Sequence, residues 1–584
     1  MKKTVLYLIL TISLTGLILL TAAYRDYDGS GINFDTDNNG RLIAHINNGE
    51  TDCLSVYPWY NEADSTYYLF LPDFAGNRVS GICGLTIDGK RVNARHPYEI
   101  SEDSEEPLYV AYNLNPKAIP LKFEYVGNLP FVSVSIGSSL ASSVPGFAYD
   151  NKNIRIESRD FKGKLEMYSN AGDTVQVSSL DKFWLHGNLT KRLPKQAYNI
   201  RMKQAVSLLP GIETDEWVLL ALFDEGDKIH SKITYDMAKE LGADEYVTSD
   251  WVNLYINGEY RGLYLITDRV HAFKDFSSSD AFLIMKEVST RYQYQTYFLL
   301  DDGTPFVIRS KNKDSLPAES VKDYIQSIDD MISGGNIDYS MIDLKSFAIQ
   351  FLLDKLSCNY DATTTSLYFH KLSSDKKLYA GPSWDYDIAY NEPLELGTVS
   401  PFEDIPYIPT ESLDWFSILA QDDVFTEQIA QILSDAEPVF HDIIDNRIDM
   451  YQNTIEKSVK TDLLRWYGSA SPLTTQSGMF INYPEKIRYL KYFISNRLEY
   501  LYGVYGIEHN PFIWTPSDST HEVTFCDFET GEEIETRTVA DGSFITEYPK
   551  GYESYIAIFK YKQDEEYSPL LPVLEDMILL LKAG

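Results

Sequence analysis

The sequence predicts an α+β chain in three folded parts: a β-rich amino-terminal domain, a mixed central domain, and a small carboxy-terminal β module. Three observations carry this. Short period-two apolar runs broken by turn residues fill the region up to residue 125. From 126 to 508 such runs alternate with apolar stripes at helical spacing. Pro511 and Pro516 then mark a linker, and residues 509–584 return to short strand-like runs. At 584 residues the chain exceeds one hydrophobic core, so two to four domains are expected.

Taken in order, Met1-Lys2-Lys3 and the uncharged run from Val5 to Ala23 have the form of an export signal. Thr21-Ala22-Ala23 suits cleavage, which sets off residues 1–23. Left uncleaved, the same run at about 1.5 Å per residue is long enough to anchor the chain in a bilayer. Either way, the body is expected to be secreted or at the cell surface. No cysteine follows the run, which argues against a lipid anchor.

Within 24–125, Tyr67–Leu71, Leu85–Asp88 and Leu108–Asn113 read as strands. No chemistry is visible in this domain. The acidic run 101–106 reads as a solvated loop. Four cysteines without a CxxC pair exclude a disulfide framework and a cysteine zinc site. Cys53 and Cys83 are candidates for one bridge in an oxidising compartment, and Cys358 is expected to be packed.

In the central domain, Phe131–Ile136, Lys195–Lys203 and Trp217–Phe223 read as strands. Asp227 is placed to cap a helix carrying Ile229, Ile233, Met237 and Leu241, which Gly242 ends. Asn257-Gly258 suits a type I′ hairpin, because both positions need φ above zero. A helix begins at Ser315-Leu316-Pro317 and stops at Gly334-Gly335. Asp343 caps another, striped by Phe347, Phe351 and Leu356 and ending near Asn359. Two short strands follow, Ser366–His370 and Lys377–Ala380, turned at Leu372–Asp375. From Trp415 to about Tyr505 the pattern is mainly helical. In the last module, Val523–Phe525 and Ile534–Val539 read as strands, and the apolar end Leu570–Leu581 is too short to span a membrane.

The formal charge of −35 argues against nucleic acid and anionic lipid as partners. The 43 tyrosines suit a strand-rich, extracellular-type surface.

The chemistry concentrates between Asp343 and Asn391. Folding the 366–380 hairpin brings Asp361 and Asp385 to one end, with Asp387 one pleat further on. Paired carboxylates suit a hard divalent cation, and a phosphoryl acceptor needs a carboxylate to take its proton. The same residues also suit plain turn and strand-end positions. Lys191, Arg192, Lys195, Arg201 and Lys203 form a basic cluster fit for phosphates, or a solvated strand face. His186 and His230 read as structural. There is no glycine-rich phosphate loop.

Several blocks resemble the spore coat protein H (CotH) kinase family: His186-Gly187-Asn188 with Thr190, Pro194-Lys195 with Tyr198, and the hairpin Ile256–Tyr264. Asp343-Leu344 with Ser346-Phe347, Asn359 with Asp361-Ala362, and Gly381-Pro382 with Trp384-Asp385 and Asp387 follow in the family's order. The resemblance implies an atypical, exported protein-kinase-like domain over 126–508, using ATP and Mg²⁺ or Mn²⁺ on Ser or Thr of protein substrates. It implies Asp361 as catalytic aspartate and Asp385 and Asp387 as metal ligands. Ser366 stands where ordinary kinases place a metal-binding Asn. Lys195, with Arg201 and Lys203, would contact phosphates. His186 departs from the family's Arg, and His230-Ser231 from its Arg-Asn. The alternative is a catalytically silent adhesion or scaffold protein of the same fold. A two-carboxylate glycoside hydrolase is a weaker third reading.

Overall fold

The computed structural model describes residues 30–136, 161–270, 280–390, 413–468 and 483–512, and strands between Thr520 and Leu580. Short interruptions fall at 49–51, 82–83, 102–105, 113–114, 188–189, 191–192, 224, 311, 313–315, 360–361, 363 and 374. The export run, most of the acidic 101–106 run, Cys83, Lys191, Arg192 and Asp361 therefore lie outside the described residues.

The amino-terminal strands form a five-stranded and a six-stranded sheet that share one core. Ile32 and Phe34 from the first meet Leu69, Val110 and Leu121 from the second, all fully buried. Two of the runs expected from sequence sit in the second sheet nearly as read, at Thr66–Leu71 and Leu108–Tyr112.

A seven-stranded closed barrel follows. Its strands are β1 (Phe131–Ile136), β2 (Phe161–Tyr168), β3 (Thr174–Leu185), β4 (Tyr198–Leu209) and β5 (Ile212–Leu220), then β6 (Ser249–Ile256) and β7 (Glu259–Asp268). Helix α1 (His230–Glu240) lies between β5 and β6. The order around the barrel is β1-β2-β3-β4-β5-β7-β6, and a parallel β1–β6 pairing closes it. Alternate residues fill the interior: Val132 and Val134, Ile200 and Met202, Trp217 and Leu219, Leu254 and Ile256. The β6–β7 turn is the one expected, with Asn257 at φ 49° and Gly258 at φ 79°. Strand β4 begins at Tyr198, so Lys195 precedes it.

A second, antiparallel sheet carries β8 (Phe282–Lys286), β9 (Tyr297–Leu299), β10 (Pro305–Ile308), β11 (Tyr368–Lys371) and β12 (Tyr379–Ala380) in the order β9-β10-β8-β11-β12. Against it pack α2 (Ala318–Ser333), α3 (Leu344–Ser357) and α4 (Trp415–Leu419); α5 (Asp423–Asp442) and α7 (Tyr483–Val504) pack on α3, and α6 (Ile448–Tyr467) lies against β7. Asp343 caps α3 as expected, accepting from the Ser346 amide at 2.8 Å. Past Gly506 the strands Thr520–Cys526 and Glu533–Ala540 pair antiparallel, matching the two runs read there. Among the described residues no helix is long and apolar enough to cross a membrane.

Asp268, at the end of β7, gives a pH test of this packing. Burial raises its carboxyl to about 7, against the opposing hydrogen bond from the Thr248 amide. Between about pH 4 and 7 the folded chain therefore holds a proton that the unfolded chain releases, and stability falls as pH rises through this window. Asp268→Asn removes the titration while keeping an oxygen for Thr248. Its melting temperature is expected to match wild type near pH 4 and exceed it above pH 7. The gain has an upper limit of about 4 kcal/mol, from three units at about 1.4 each. A pH-independent difference would refute this.

Candidate functional site

The site is assembled around the segment that follows β12. Helix α3 clasps it from beneath. Gln350 accepts from the Ser383 hydroxyl at 2.8 Å and donates to both Asp354 oxygens at 3.0 Å. The Tyr386 phenol donates to Asp354 Oδ1 at 3.0 Å. Burial raises Asp354 to about 7, opposed by these hydrogen bonds. Above, Trp384 stacks on Tyr235 of α1, with ring centroids 5.9 Å apart, and meets His186 edge-on. With its neighbours on both sides held, Asp385 has a fixed aim.

Asp385 sits at φ 69° and Ser366 at φ 58°, both in the left-handed region that non-glycine residues avoid. Their side chains meet: Ser366 Oγ donates to Asp385 Oδ2 at 2.7 Å. Asn359 Nδ2 donates to the Asp385 carbonyl at 3.1 Å. Thus the loop carrying residue 361 grips Asp385 from positions 359 and 366. Burial raises the Asp385 carboxyl and Glu287 adds to that, while the Ser366 hydrogen bond and Arg291 oppose it. Asp387 is partly exposed on the same segment, and its charge, like that of Asp385, reaches Tyr235.

Strand β8 fixes the other flank of the loop. Lys286, buried at the end of a wholly apolar strand, donates to the Thr364 carbonyl at 2.9 Å. Glu287 accepts from Thr365 Oγ1 at 3.0 Å and pairs with Arg291 at 3.2 Å and Arg309 at 3.9 Å. Arg309 Nε has no hydrogen-bond partner among the described residues. Tyr368 of β11 lies amid these charges. Burial raises its phenol, with Arg309 and Arg269 opposing and Asp385 and Glu287 adding. Arg269, leaving β7, pairs with Glu216 at 3.1 Å and lies over Trp184. In a strongly acidic chain, then, Arg291 acts on Asp385, while Arg309 and Arg269 act on Tyr368, which Asp385 also reaches. Sequence reading missed them because each stands alone in its own strand end or loop. The available signal was Lys286-Glu287 closing an apolar strand.

The expected basic cluster is not one group in space. Lys195 is fully buried, with Nζ 2.6 Å from Asp462 Oδ1 on α6 and beneath the Tyr264 ring. Burial lowers its ammonium to about 8, against the pull of Asp462. It does not project into an open cleft. Gly262 makes room for the pair: a Cβ there would sit 1.9 Å from Asp462 Oδ1. Arg201 shares Glu216 with Arg269, at 2.8 Å from its Nε. Lys203 is exposed and lines a separate groove of about 860 Å³ between β3, β4 and the 211–213 turn.

The chain matches the model of a family described as CotH kinase protein over residues 184–501, more than half its length. This chain belongs to the CotH kinase family. The matched span of this CotH chain runs from the end of β3 to α7 and takes in the whole Asp385 site. A comparison with curated proteins gives no match.

Proposed function

We propose that this CotH chain is an exported, atypical protein kinase that moves the γ-phosphoryl of ATP to Ser or Thr of surface or secreted proteins, with Mg²⁺ or Mn²⁺. One observation carries the reading: Ser366 and Asn359, on either side of residue 361, both bind Asp385. The helix, loop, hairpin and acidic segment (α3, 359–366, β11–β12, 383–387) follow one another in the order found in protein kinases, which supports the reading. The donor set fits a hard cation. Asp385 and Asp387 offer carboxylates, and Asn359 Oδ1 is a buried oxygen without a hydrogen-bond partner among the described residues. When bound, such a cation neutralises phosphate charge. Asp361 would accept the acceptor hydroxyl's proton, and Arg291, Arg309 and Arg269 would hold phosphate oxygens.

The buried Lys195–Asp462 pair favours a second reading, a silent adhesion or scaffold protein that keeps the fold. Thermal melting with ATP, with and without Mg²⁺ or Mn²⁺, separates the two. A kinase gains stability from nucleotide only with the cation, by about 2.7 kcal/mol at a hundred times Kd. No shift at millimolar nucleotide favours the scaffold.

A further inference from the structure

The amino end of α1 gathers three metal-ligating residue types outside the Asp385 site. Glu225, Asp227 and His230 are 2%, 1% and 0% exposed. Among the described residues they form a cluster whose ligand atoms lie within 4.8 Å of one another.

Each carboxylate is already half committed. Asp227 Oδ1 caps the helix, accepting from the amides of Ile229 at 2.7 Å and His230 at 2.9 Å. Asp227 Oδ2 lies 2.8 Å from His230 Nδ1, which fixes the ring and directs Nε2 to the other side. Glu225 Oε1 accepts from the Ser231 hydroxyl. Glu225 Oε2 is buried, accepts no hydrogen bond among the described residues, and lies 3.7 Å from His230 Nε2.

That separation is too long for a hydrogen bond. It is close to the spacing of two ligand atoms on one tetrahedral zinc ion, about 3.4 Å for bonds near 2.1 Å. A carboxylate behind the imidazole is the usual support of a metal-bound histidine. Lys228, the nearest cation in sequence, gives its ammonium to the carbonyls of Leu222 and Phe223. We propose that Glu225 Oε2 and His230 Nε2 bind a zinc ion, with Asp227 as the orienting partner. This site is separate from any cation on Asp385 and does not rest on the kinase reading.

The test uses the full chain stripped with EDTA and titrated with Zn²⁺ alone in a calorimeter. The expected result is one tight equivalent, kept in Asp385→Asn and lost in Glu225→Gln and in His230→Gln. Asp227→Asn is expected to weaken binding 10- to 100-fold. Should a variant fail to fold, the wild-type protein still decides. Co²⁺ in this site should give the visible bands of a four-coordinate nitrogen and oxygen environment. Absence of tight Zn²⁺ binding, or binding unchanged in folded Glu225→Gln, overturns the proposal.

Discussion

Asp462→Ala is expected to remove about 3–5 kcal/mol of folding stability, the usual result of stripping one partner from a buried ion pair. Lys195 and Asp462 are 0% and 1% exposed, and their atoms are 2.6 Å apart. The same Asp462 oxygen accepts from the Leu263 amide at 3.0 Å, so the substitution orphans a backbone donor as well as an ammonium. Replacing both charges together, as Lys195→Met with Asp462→Leu, should recover most of the loss, since neither charge is then left buried alone. The pH dependence has a defined sign. Burial places Lys195 at about 8 in the folded state against its ordinary 10.5. From about pH 8 to 10.5 the unfolded chain binds more protons, so this residue's contribution to stability rises with pH. Without Asp462 the Lys195 proton leaves at lower pH still, so the charge-linked part of the Asp462→Ala defect should shrink as pH rises toward about 8 and stay constant above it. Urea melts across pH 7 to 10.5 check all three statements. A loss under 1 kcal/mol would mean that the pair is solvated.

This pair also marks where sequence reading stops. Local signals held because they rest on nearest neighbours. The Asp343 cap, the Asn257-Gly258 turn and strand Phe131–Ile136 each depend on a handful of adjacent residues. Alternation showed that Ile200 and Met202 face one way and Arg201 and Lys203 the other. It could not show what each face meets. The barrel closes by a parallel pairing between Phe131–Val134 and Asn253–Ile256, and no local pattern encodes that contact. Likewise the counter-charge of Lys195 comes from a distant helix, and the surroundings of Asp385 come from α1, the loop after α3 and the segment after β8 at once. The hairpin reading concerned Asp361 and Asp385, and Asp361 lies outside the described residues, though its neighbours Asn359 and Ser366 both reach Asp385; the three arginines were not legible, because three elements deliver them.

Asp385→Asn should abolish most phosphoryl transfer, by at least about 100-fold, which corresponds to about 2.7 kcal/mol of transition-state stabilisation. The substitution leaves an oxygen for Ser366 and keeps the backbone contact from Asn359, so the fold should survive. What it removes is a negative charge at a half-buried position near Arg291 and Glu287. An amide oxygen is a weaker partner for a divalent cation than a carboxylate. Burial raises the Asp385 carboxyl, so cation-dependent nucleotide binding should increase with pH as that proton leaves and become pH-independent in the variant. Arg309→Ala supplies the contrast. It removes a guanidinium whose Nε has no hydrogen-bond partner among the described residues, and it should weaken binding of ATP more than that of adenosine. Incubation with γ-labelled ATP, wild type against Asp385→Asn, Asp361→Ala and Arg309→Ala, reads these effects directly. Equal label incorporation by wild type and Asp385→Asn, with both proteins folded, would take the carboxylate out of the reaction, and no incorporation by folded wild type would favour the scaffold reading.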